Sequence, residues 1–123
     1  MELHQSAEDY LEKIMMIDEK KGVVRSIDIA NELNFSKASV SIAMKKLREN
    51  GYILFDEENY ITLTPLGRKI AEDVYRKHKL LTSFFTYIGV PEEIAAEDAC
   101  KIEHHLSEES YAKLLEFAEK NGF

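Results

Sequence analysis

Three features of the sequence predict a mainly α-helical fold in two parts. Apolar residues recur at helical spacing along most of the chain. A short helix, a tight turn and a longer helix form a helix-turn-helix pattern near the start. Two β-prone runs follow directly and everything after them is helical again, so the expected division is 1–64 and 65–123.

Composition narrows the possibilities. With 123 residues, 45% of them hydrophobic, the chain can bury one modest core, or a small domain plus an element that needs a partner to cover it. No apolar run approaches bilayer length. Met1-Glu2-Leu3-His4-Gln5 has neither the basic start nor the apolar centre of a signal peptide, so a cytoplasmic protein without a membrane partner is expected. A single cysteine, Cys100, excludes an internal disulfide framework. The net charge of −7 disfavours nucleic acid only if it is spread evenly. Residues 21–51 hold six basic side chains against three acids, a net of +3, whereas residues 83–123 hold nine acids against three lysines, a net of −6.

Taken in order, Ser6-Ala7-Glu8-Asp9 reads as a capping-box-like start with Ser6 as N-cap, and Tyr10, Leu11, Ile14 and Ile17 carry a first helix over about 7–20. Asp9 and Glu12 form a stripe apart from its apolar side, and alone they suit capping and a solvated face. Lys20-Lys21-Gly22 breaks the pattern. Ser26 then caps a short helix, Ile27 to Leu33, the turn Asn34-Phe35 follows, and Ser36 caps a longer helix from Lys37 to Asn50 that stops at Gly51. The second helix turns Val40, Met44 and Leu47 inward. Helix pairs are commonplace in packed cores, but a short polar opening with basic flanks favours DNA. Ser36, Lys37, Ser39 and Ser41 are the candidates for base contacts, with Lys45, Lys46 and Arg25 for phosphates.

Tyr52 to Phe55 and Tyr60 to Leu63 read as a hairpin around Asp56-Glu57-Glu58-Asn59, placed where a winged helix-turn-helix carries its wing. Its tip is acidic. Thr64-Pro65 is an N-cap with proline at the first helical position, and Leu66, Ile70, Val74, Leu81, Phe84, Phe85 and Ile88 fill one side as far as Gly89, about 23 residues or roughly 35 Å of helix. His78 lies past its middle. Pro91 or Glu92 opens the next helix, in which Cys100, Glu103 and His104 stand at i, i+3 and i+4. One face is therefore expected to present a thiolate, a carboxylate and an imidazole, all metal-ligand chemistry. The same spacing also suits a small core cysteine, a solvated glutamate and a hydrogen-bonded histidine. Ser107 caps a last helix with Tyr111, Leu114, Leu115 and Phe117 on its apolar side. Two acidic amphipathic helices do not close a core alone, so a homodimer is expected. No dinucleotide fingerprint, Walker loop, His-Glu-x-x-His pair or serine elbow is present, and no enzyme is expected.

From about Ser6 to Leu115 the sequence resembles the metal-dependent repressors that comprise the diphtheria toxin repressor and the manganese transport regulators. The resemblance rests on Glu8-Asp9-Tyr10-Leu11, on Ser36 to Gly51 with the hairpin after it, and on Thr64-Pro65-Leu66-Gly67-Arg68. It continues through Arg76-Lys77-His78-Lys79-Leu80-Leu81 and Cys100 to His104 followed by Ser107. It implies a winged helix-turn-helix DNA-binding domain followed by a helical metal-binding and dimerisation domain. It also implies metal-ligand roles for Asp9, Glu12, His78, Cys100, Glu103 and His104. Iron-type members carry methionine at the position of Asp9 and no acid at Glu12, whereas manganese-type members share both acids but have glutamate in place of Cys100. Thr82 and Ala96 replace residues that help hold an ancillary metal in the iron-type branch, so an ancillary site of that composition is not expected. The sequence ends at Phe123, so the SH3-like third domain of larger members is not expected either.

The implied function is a metal-activated repressor of metal-homeostasis genes that binds a palindromic double-stranded operator as a homodimer. A thiolate among carboxylates and imidazoles shifts preference toward softer ions, so Fe(II) is favoured and Mn(II) is next, with Zn(II) or Co(II) able to occupy the site in vitro. The alternatives are a metal-independent winged-helix regulator with a structural or vestigial cluster and, further off, a small zinc metalloenzyme.

Overall fold

A computed structural model describes residues 5–123. The first four residues, which bear on the reading against a signal peptide, lie outside the described part. The element order is α1 (Gln5–Lys21), α2 (Ser26–Leu33), α3 (Lys37–Glu49), β1 (Ile53–Phe55), β2 (Ile61–Leu63), α4 (Pro65–Tyr87), α5 (Glu92–Ile102) and α6 (Glu108–Asn121). The chain divides into two compact units, the first ending at Glu72 and the second running Asp73–Phe123. No helix among the described residues is long and apolar enough to cross a membrane.

The core of the first unit is set by helical and strand periodicity acting together. Leu11, Ile14 and Ile17 of α1, Ile29 of α2, Val40 and Met44 of α3, and Ile53 and Ile61 of the two strands are all buried. Asn34 takes a left-handed conformation (φ 58°) and ends α2, which lets Phe35 N–H reach the carbonyl of Ala30 and fixes the helix-turn-helix corner. Ser36 caps α3, its Oγ accepting the Ser39 N–H at 3.1 Å. The strands pair antiparallel, Ile53 opposite Leu63 and Phe55 opposite Ile61, and Ile61 N–H donates at 2.7 Å to the carbonyl of Val24 ahead of α2.

The start of α4 is clamped to the end of α3. Thr64 Oγ1 donates to the Gly51 carbonyl at 2.7 Å and accepts the Gly67 N–H at 3.1 Å, so one hydroxyl caps α4 and ties it to the α3 stop. Gly67 is required by space: a Cβ there would lie 2.1 Å from the Tyr52 carbonyl oxygen. The Thr-Pro-Leu-Gly run thus has a physical reason at both its polar and its smallest residue.

In the second unit, Val74, Leu80 and Leu81 of α4, Ala95 and Ala99 of α5, and Ala118 of α6 are buried. Phe84 meets Phe117 at 6.3 Å between ring centroids, and Phe123 lies against Phe84 and stacks on Tyr87. Lys77 Nζ bonds the Leu106 carbonyl and pairs with Glu108 at 2.9 Å, holding the α5–α6 connection. Ser107 caps α6 through the Ser110 N–H.

Four local expectations are corrected. Ser6 lies inside α1, which already begins at Gln5. The N-cap of α2 is Arg25 rather than Ser26. The Asp28 carboxylate accepts the Arg25 N–H at 2.9 Å, so the turn is closed by an acid inside the helix instead of a hydroxyl before it. Leu66, expected on the apolar side of α4, is exposed, because the face of the first turn that packs belongs to Gly67. Finally, α5 ends at Ile102, so Glu103 is its C-cap and His104 stands in the following turn. Cys100, Glu103 and His104 are thus not carried on one continuous helical face.

Candidate functional site

Two sites emerge, one in each unit. In the first, α3 buries Val40, Met44 and Leu47 and presents Lys37, Ser41, Lys45 and Lys46 to solvent. The hydroxyls of Ser36 and Ser39 are joined at 2.9 Å, so both take part in the helix cap as well as lying on the exposed opening turn. Arg25 is exposed, with its guanidinium 4.4 Å above the centre of the Tyr60 ring, and Arg48 lies 5.6 Å from the Phe55 ring. Arg25, Lys45 and Arg48 line one concavity of about 520 Å³ together with Ser26, Ser41 and Asn59. Cations held over aromatic rings are pre-oriented, which suits a polyanion laid across α3 and the hairpin. Arg48 is an addition to the residues that the sequence singles out. Its signal was available, since it stands one turn beyond Lys45.

The hairpin tip is built around Asp56, whose Oδ1 accepts the N–H groups of Glu58 and Tyr60, with Asn59 left-handed at φ 64°. Glu57 and Glu58 are exposed beside it. Acidic side chains repel phosphate, so this tip suits a polyanion less well than the basic face of α3 does.

In the second unit, Glu103 is the centre of a cluster. It is 1% exposed. Its Oε2 lies 2.9 Å from His78 Nδ1, and its Oε1 lies 3.5 Å from His104 Nε2 without making a hydrogen bond. His78 is held from three sides: Thr82 Oγ1 donates to its carbonyl, the Tyr75 ring stacks near its imidazole, and Glu103 fixes one ring nitrogen. A buried carboxylate oxygen with no hydrogen bond is costly unless a cation or proton meets it. Carboxylate and imidazole are donor types that suit a divalent transition ion, and the His78–Glu103 pair fits part of such a donor set. Cys100 is exposed on α5. Asp9 and Glu12 lie on α1 in the first unit, Asp9 half-buried and Glu12 buried at 5% exposure. Sequence spacing placed Cys100, Glu103 and His104 on one expected helical face. It did not foresee that His78, 25 residues before Glu103, hydrogen-bonds that carboxylate, because the contact is tertiary.

Comparison with known proteins matches residues 2–60 to the N-terminal DNA-binding domain of the iron-dependent repressors and residues 64–122 to their metal-binding and dimerisation domain. The HTH-type transcriptional regulator MntR of Geobacillus kaustophilus (strain HTA426) is 41% identical over 102 residues, 83% of this chain and 72% of that protein. The chain belongs to the iron-dependent repressor family. The MntR regulator of Bacillus pumilus (strain SAFR-032) is 39% identical over 119 residues, covering 94% of this chain and 83% of that protein. Among solved structures, that of the manganese regulator SloR superposes with a TM-score of 0.80 at 29% identity, covering 92% of this chain and 53% of that one. The chain thus spans about half the length of that solved relative. Iron-dependent repressors are DNA-binding, metal-dependent transcriptional repressors with a dimerisation domain, not enzymes. The winged helix-turn-helix followed by a helical unit is the architecture of this family.

Proposed function

We propose that this chain is a manganese-activated transcriptional repressor that controls metal-homeostasis genes in the cytoplasm, binding a palindromic operator as a homodimer. The observation that carries it is the buried Glu103 carboxylate between His78 and His104, with Oε1 lacking a hydrogen bond. Division of labour falls at 1–64 for DNA reading and 65–123 for metal binding and dimerisation. The ligands are Asp9, Glu12, His78, Cys100, Glu103 and His104, drawn from α1, α4, α5 and the turn after α5. Ser36, Lys37, Ser39 and Ser41 address base edges, and Arg25, Lys45 and Lys46 address phosphates.

The preference for Fe(II) drawn from the Cys100 thiolate is not supported, since solved relatives are named as a manganese regulator and a manganese-dependent repressor. Carboxylates at Asp9, Glu12 and Glu103 are hard donors that suit Mn(II), while Zn(II) or Co(II) would occupy the same donors in vitro by affinity order. These residues would hold the ion, which would supply a Lewis-acidic centre for carboxylate and imidazole donors. Cys100 would bind as thiolate and Glu103 as carboxylate, the deprotonated forms that metal binding requires. Metal and operator are linked ligands: each tightens the other by the same factor.

The test is a paired titration. Mn(II) binding by calorimetry and operator binding by fluorescence anisotropy are measured for the wild type and for His78→Ala with His104→Ala. Loss of both metal binding and metal-stimulated DNA affinity is expected. Unchanged operator affinity in the double variant, with the fold intact by circular dichroism, would instead favour a metal-independent regulator.

A further inference from the structure

The exposed face of α3 carries one side chain that neither packing nor helix propensity explains. Ile42 is 60% exposed, the most exposed of the large hydrophobic side chains described. The inward stripe of the helix is already complete with Val40, Met44 and Leu47. A β-branched residue in mid-helix loses side-chain freedom that lysine, glutamine or glutamate would keep, so this position gains nothing locally from isoleucine.

Its neighbours say what it faces. Ile42 stands one turn after Ala38 and Ser39 and one turn before Lys45 and Lys46, in the middle of the surface that the polar and basic residues of α3 define. Ala38, at i−4, is also exposed. Side chains on a helix lean toward its N-terminus, so Ile42 and Ala38 make one apolar strip running along the exposed side. Apolar surface flanked by phosphate-seeking lysines matches the one apolar group that the major groove offers, the 5-methyl of thymine.

We propose that Ile42, supported by Ala38, determines specificity by apolar contact with a thymine methyl in each half-site. The inference rests on the DNA-reading role of α3 given above. It deepens that role by naming the base feature read.

The test uses the full chain with Mn(II). An operator is first selected from random duplexes, and each thymine in it is then replaced by deoxyuridine, which removes only the methyl group. At one symmetric position, deoxyuridine should weaken wild-type binding about fourfold per half-site, the effect of one buried methyl-sized group. Ile42→Ala should bind the parent operator more weakly and lose that sensitivity, and reselection with Ile42→Gln should replace the thymine with another base. Ile42 is exposed, so neither change threatens the fold. A wild type that selects an operator but is indifferent to deoxyuridine everywhere, or an Ile42→Ala protein that keeps the same sensitivity, overturns the thymine contact alone. A wild type that selects no sequence overturns the DNA-reading role and the contact together.

Discussion

His78 Nδ1 stands 2.9 Å from Glu103 Oε2, joining the long helix α4 to the C-cap of α5 across 25 residues of sequence. The same carboxylate leaves Oε1 buried without a hydrogen bond, facing His104 Nε2 at 3.5 Å. Removing the negative charge should therefore separate metal binding from folding. Glu103→Gln keeps the shape of the side chain and removes a buried charge, so the metal-free variant should unfold at the wild-type temperature or above it. Mn(II) at a hundredfold excess over its Kd should stabilise the wild type by about 2.7 kcal/mol and the variant hardly at all. Thermal melts with Mn(II), and again in metal-free buffer, read both quantities. A metal-free variant that melts well below the wild type would make the cluster a structural ion pair instead.

Gly67 packs where no side chain fits, since a Cβ at this position would come within 2.1 Å of the Tyr52 carbonyl oxygen. Gly67→Ala must push α4 away from the α3–β1 connection and disturb the Thr64 link to Gly51. A loss of at least about 1–3 kcal/mol is expected, the usual range for overpacking. Urea denaturation followed by circular dichroism measures it, and a wild-type midpoint would show that the backbone yields cheaply.

The salt dependence of operator binding counts phosphate contacts. Replacing Lys45 or Lys46 by alanine should each flatten the slope of log K against log salt by about 0.9. Neutralising Glu57 and Glu58 at the wing should do the reverse, raising affinity for unrelated DNA. Slopes identical to wild type in the lysine variants would move the phosphate contacts elsewhere on the basic surface.

Asp28 gives the first unit a pH-dependent element. The Lys21 ammonium, hydrogen-bonded to it at 2.7 Å, holds its carboxyl below the ordinary range, opposed by partial burial and assisted by the Arg25 N–H. A depressed folded pKa means stability that is present in full above the unfolded value of about 3.9 and is lost as pH falls through the lower folded value. Asp28→Asn should therefore be less stable than wild type at neutral pH, and the difference should shrink in acid. Urea midpoints taken from pH 6 down to pH 2 check this, and a difference that stays constant would contradict it.

Much of this architecture was legible because its signals are local. Ser36, Thr64 and Ser107 each mark the start of a helix through a hydroxyl placed three residues before the N–H it accepts. The wing was readable from β-prone runs on either side of an acidic turn. The end of α5 was not, because no glycine or proline marks it. It coincides with Glu103 bonding to His78 and Lys77 reaching the Leu106 carbonyl, both partners distant in sequence. Arg25 as the cap of α2 was missed for a related reason. The group that satisfies its N–H, Asp28, lies inside the helix and reads as an ordinary first-turn acid.

The central claim is that metal occupancy controls DNA binding. Operator affinity measured anaerobically by fluorescence anisotropy, with metal-free protein and again with Mn(II) at saturation, addresses it most directly. The expected result is a gain of about 5–150-fold with Mn(II), the usual span of allosteric coupling, abolished in Glu103→Gln. Equal affinity with and without the ion would contradict it.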